Sequence, residues 1–82
     1  MALHGNEYRT HDTPLAAFLL TEGFKLSRID YNEKQAIFTF LRDGTEDLDN
    51  AIMQYQAGTA KGNIVLFYNS YRSLVRRIKE RL

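Results

Sequence analysis

Cysteine is absent from the 82 residues, proline occurs once and histidine twice. Without cysteine there is no disulfide framework, no thiolate nucleophile and no thiolate zinc site. Stability must come from packing within the chain, or from packing plus a second copy of it. No apolar run reaches the roughly 18 residues that a membrane-spanning helix requires, and the N-terminus lacks the basic-then-apolar order of a secretory signal. A cytosolic protein with no membrane partner is expected. What is present suits one small globular domain: 44% of residues are hydrophobic and ten are aromatic. A chain of this length hides roughly 60–65% of its unfolded surface, enough for a single core.

A net charge of +1 conceals an uneven distribution. Asp43, Glu46, Asp47 and Asp49 occupy residues 43–58 with no base among them, whereas Lys61, Arg72, Arg76, Arg77, Lys79 and Arg81 follow with Glu80 as the sole acid. Asymmetry of this kind concerns partners, not fold.

Residues 1–9 show no period and are expected to be a flexible N-terminus ahead of a domain at 10–82. Asp12 or Thr13 can cap a first helix with Pro14 in its opening turn. Leu15, Phe18 and Leu19 supply its apolar stripe, with Leu20 alongside, and Gly23 stops it. Two strands follow, in FKLSRIDYN (24–32) and QAIFTFLRDG (35–44), joined through the turn residues of YNEKQ as an antiparallel hairpin. Ile29 and Tyr31 fall out of phase with Phe24 and Leu26, which predicts a bulge near Arg28. Ala36, Phe38 and Phe40 alternate with Ile37, Thr39 and Leu41, so both faces of the second strand call for cover, one of them from another subunit. A second helix is capped by Thr45, carries Glu46 and Asp47 where the helix dipole favours acids, buries Leu48, Ala51, Ile52 and Tyr55, and ends at Gly58. Asn63 caps a third, whose stripe is Ile64, Phe67, Tyr71, Leu74, Val75, Ile78 and Leu82. The expected class is α+β, helix-strand-strand-helix-helix, with a two-stranded antiparallel hairpin packed by helices.

Thr10-x-Asp12 before Leu15-Ala16-Ala17-x-Leu19-Leu20, then Gly23-Phe24-x-Leu26, the strand Ile37-Phe38-Thr39-Phe40 and the helix from Phe67 through Tyr71-Arg72-x-Leu74 to Ile78 together resemble a family of small bacterial and phage domains of unknown function. The resemblance implies a free-standing unit encoded by phages, plasmids or their hosts. It implies no activity, cofactor or catalytic residue.

Signatures of chemistry are sparse. His11-Asp12 pairs a base with a carboxylate, but Asp12 has a helix to cap. His4, Glu7, His11 and Asp12 could ligate a metal only if the terminus folded over them. Asp43, Gly44, Asp47 and Asp49 do not follow the calcium-loop order, and Gly58-Thr59-Ala60-Lys61-Gly62-Asn63 is not a nucleotide-hydrolysing phosphate loop, although its amides could hold an anion. Neither enzyme activity, nor a metal, nor a cofactor is expected.

The basic helix remains. Arg72, Arg76 and Lys79 form one row and Arg77 and Arg81 another, and the first two lie too early in the helix to serve its dipole. The expected function is a non-enzymatic accessory protein binding nucleic acid or nucleotide phosphate through Lys61, Arg72, Arg76, Arg77, Lys79 and Arg81, with Tyr68 placed to stack on a base. Pairing of the bases with the acids of residues 43–49 would leave only a solvated face. An acidic protein partner is the other alternative, as is a phage-type inhibitor of a host defence protein, or a symmetric oligomer sequestering a nucleotide. A lone hairpin is marginal, so a homodimer is expected, through sheet extension or through the last helices.

Overall fold

The computed structural model describes residues 7–33, 35–42 and 46–81, with side chains as far as Glu80. In chain order the elements are β1 (Glu7–Thr10), α1 (Thr13–Thr21), β2 (Leu26–Asn32), β3 (Gln35–Leu41), α2 (Asp47–Ala57) and α3 (Ile64–Arg81).

Asp12, not Thr13, caps α1: its Oδ1 accepts from the Leu15 N–H at 3.0 Å while its backbone stays extended. At the far end Gly23 takes φ 96°, a left-handed conformation that glycine adopts cheaply. This lets the Phe24 N–H reach the Leu19 carbonyl and the Gly23 N–H the Leu20 carbonyl, closing the helix as a Schellman motif. Burial goes beyond a stripe. Ala16 and Ala17 are sealed along with Leu15, Phe18 and Leu19, because α1 packs against α2, α3, β1 and β3. Two small side chains let those neighbours approach.

The sheet has three antiparallel strands in the order β1-β3-β2, not two. Glu7, Tyr8, Arg9 and Thr10 pair with Leu41, Phe40, Thr39 and Phe38, so part of the expected loose terminus is an ordered edge strand; residues 1–6, with His4, lie outside the described residues. Alternation explains the strand: Tyr8 packs against the core, while Glu7 and Arg9 face the other side. β2 and β3 form the expected hairpin, with Asn32 opposite Gln35 and the expected irregularity between Leu26 and Arg28. The inner face of β3 (Ala36, Phe38, Phe40) is buried under the helices with Leu48, Ile52 and Leu74.

At its centre the outer face of β3 is covered by the chain itself, whereas Leu41 at the strand end stays 43% exposed. Thr39 is fully buried between Arg9 and Arg28, its register partners on either side. Across it, Arg28 reaches Glu7 at 3.6 Å and Arg9 reaches Asp30 at 3.9 Å, so charged side chains of both flanking strands span the central one. Their aliphatic stems shield the strand while the charges stay wet.

α2 starts at Asp47 behind Glu46, which makes no side-chain cap bond, and ends at Gly58 with φ 78°. The expected cap Thr45, with Asp43 and Gly44, lies outside the described residues. Asn63 does cap α3, accepting from the Leu66 N–H at 3.0 Å. The α3 stripe begins later than expected: Ile64 is 81% exposed, Phe67, Tyr71, Val75 and Ile78 are half-buried, and Leu74 is sealed. At the start of α3 Ile64 borders an open concavity with Phe18, Thr21 and Phe67 and is not packed into the core. Leu82 lies outside the described residues.

Candidate nucleic-acid interface

α3 presents its basic side chains away from α1, because Leu74 and its half-buried neighbours hold the opposite side against the core. Spacings of four and three residues place Arg72, Arg76 and Lys79 along one line. These three line a shallow groove of about 470 Å³ together with Tyr68, Tyr71, Val75 and Glu80. Tyr68 is 55% exposed, and the Arg72 guanidinium lies 5.6 Å from the centre of its ring in a cation–π contact. Tyr71 stacks on Phe67 at 6.3 Å and anchors the groove floor.

The other predicted residues do not join this row. Arg77 lies around the helix, lining a separate concavity with Ile29, Tyr31 and Glu80. Lys61 is in the loop before α3, beside a cavity of about 230 Å³ whose lining includes Phe18, Glu22, Tyr55 and Phe67. The side chain of Arg81 lies outside the described residues.

Among the described residues no carboxylate forms an ion pair with the row. α2 and α3 each pack on α1, and Asp49 is held by Arg42, whose Nη1 donates to both carboxylate oxygens at 2.7 and 2.8 Å. Among the described residues, none of Lys61, Arg72, Arg76, Arg77 and Lys79 forms an ion pair; those present join Arg9, Arg28 and Arg42 to Glu7, Asp30 and Asp49. Five exposed bases on and beside α3 therefore keep their charge toward solvent.

His11 is exposed, and the carboxylate next to it in sequence, Asp12, is engaged in capping α1. No cluster of three or more metal-ligating side chains occurs among the described residues, and no helix there is long and apolar enough to cross a membrane. Among the described residues two groups are electrostatically perturbed. The Asp30 carboxylate, by hydrogen bond and by charge, raises the Arg28 pKa, with a further push from Glu7. Burial, reinforced by the negative charge of Asp12, raises that of Tyr55.

Sequence reasoning missed the charged lattice of Glu7, Arg9, Arg28 and Asp30 on the outer sheet face. Its signal was the alternation of Glu7-Tyr8-Arg9-Thr10, readable as a strand once a partner for β3 is sought. No curated protein and no solved structure matches the chain. A family profile does, over residues 5–82, and the chain belongs to the family it defines, a domain of unknown function (DUF5659).

Proposed function

We propose that this chain is a non-enzymatic binding module whose α3 surface engages the phosphates of a nucleic acid. The observation that carries the reading is the row Arg72, Arg76 and Lys79, exposed on one groove with no carboxylate partner among the described residues. Cations that stabilise the fold are normally paired or placed at a helix terminus, and this row begins in mid-helix. Binding proceeds by release of counterions from the phosphate backbone as the three side chains displace them. Tyr68, exposed at the same groove, offers a face for an unstacked base, which favours single-stranded over duplex substrate. Arg77 and Lys61 add to the local positive potential without lining the groove. Such a partner implies an intracellular location.

Fluorescence anisotropy with labelled single-stranded and duplex oligonucleotides tests this. Replacing Arg72, Arg76 and Lys79 together by alanine should weaken binding by about tenfold or more at low salt, while Ser73→Ala on the same exposed side leaves it unchanged. Tyr68→Ala should weaken single-stranded binding more than duplex binding. Wild-type protein that binds neither oligonucleotide, or a triple variant that binds as well as wild type, would sink the reading. If the same substitutions abolish one specific complex with an acidic protein instead, that partner takes its place.

A further inference from the structure

The strand order β1-β3-β2 leaves the outer edge of β2 unpaired among the described residues. An open edge is a row of backbone donors and acceptors ready for another strand, and proteins usually guard it with proline, short length or charge. β2 has seven residues and no proline. Its charges are of both signs, and their order is the informative feature.

We infer that β2 is a homodimer contact, in which the edges of two copies pair antiparallel about a twofold axis through Ile29 and join two three-stranded sheets into one. Arg28 and Asp30 flank Ile29 on the outer face, 3.0 Å apart within the strand and each 46% exposed. Antiparallel pairing centred on Ile29 sets Arg28 of one copy opposite Asp30 of the other, and the twofold repeats the pair. A strand carrying a single sign would repel its own copy, whereas Arg28-Ile29-Asp30 is its own electrostatic complement. That selects the occupant: an anionic macromolecule gains nothing from an edge whose charges cancel, and a second copy gains two cross-strand ion pairs. The irregularity at Leu26–Arg28 leaves Arg28–Asn32 in regular register, so the pairing centre lies in undistorted strand. On the inner side Ile29 and Tyr31 line a concavity of about 380 Å³ with Arg77 and Glu80, which leaves space beside the edge for a second copy. The Tyr31 hydroxyl donates to the Arg77 carbonyl at 3.3 Å, tying α3 to this edge.

Sedimentation equilibrium of the full chain, together with hydrogen exchange at low and high concentration, decides between dimer and monomer. Wild type should reach twice the chain mass in the micromolar range, with concentration-dependent protection confined to residues 26–32. Arg28→Asp and Asp30→Arg each place like charges face to face and should lose the dimer. Mixed together, the two variants should form a heterodimer, because each strand then bears one sign opposite the other. A wild type that stays monomeric, single variants that still dimerise, a mixture that does not, or protection appearing at residues 64–68 instead would each overturn the assignment. Exchange on unaltered protein keeps the assignment testable even if a charge reversal unfolds its chain. None of Arg28, Asp30 and Ile29 belongs to the α3 groove, so loss of the dimer and loss of oligonucleotide binding are read separately.

Discussion

Thr39 sits on the central strand with a buried hydroxyl that finds no hydrogen-bond partner among the described residues. Burying an unpaired hydroxyl costs about 1–3 kcal/mol. Valine has nearly the same shape, lacks the polar atom and suits a strand at least as well. Thr39→Val is therefore expected to stabilise the fold by about 1 kcal/mol, seen as a higher denaturant midpoint at unchanged slope; a lower midpoint would mean the hydroxyl has a partner in solution. Tyr55 makes a second case. Burial and the nearby Asp12 hold its phenol above the usual value of 10.0. A group that keeps its proton more tightly when folded contributes stability in full below its unfolded pKa and loses it as pH rises through the folded one. Above pH 10 wild type should lose stability faster than Tyr55→Phe, and identical alkaline profiles would contradict the assignment. Single residues were also the most legible part of the sequence. Asp12, Gly23, Gly58 and Asn63 act as expected because capping depends on local backbone geometry alone.

At the scale of elements, legibility declines where packing decides. The period of α3 identifies a helix but not how much of it meets a neighbour. Leu74 is sealed and Ile64, on the same stripe, is 81% exposed. Leu74→Ala should cost about 2–5 kcal/mol through lost burial and a residual cavity, while Ile64→Ala should fall within about 0.5 kcal/mol of wild type. Thermal or chemical denaturation separates the two, and a comparable loss at both sites would mean that the start of α3 is covered in solution. β1 was hidden for a related reason: four residues carry too little pattern to announce a strand, and only the partner edge of β3 makes them one. The two-sided apolar character of β3 did signal double cover. It could not reveal that arginines from the neighbouring strands, and not apolar groups, cover Thr39.

At the scale of the whole molecule, the described charges fall into distinct places. A balanced lattice of Glu7, Arg9, Arg28 and Asp30 lies on the outer sheet face, Asp49 at the start of α2 is held by Arg42, and the α3 row has no such partner among the described residues. Composition alone could not distinguish a neutralised helix from an available one, since the net charge is only +1 and the acids precede the bases closely in sequence. The separation arises because α2 and α3 pack on α1 and do not lay their charged faces together. Availability of the α3 cations has a thermodynamic signature. The logarithm of the single-strand affinity, plotted against the logarithm of salt concentration, should fall with a slope of about −2, as about 0.7 counterions are released for each of the three phosphates engaged. Alanine at Arg72, Arg76 and Lys79 should flatten that line toward zero. Affinity indifferent to salt, or a slope that survives the triple substitution, would contradict the account.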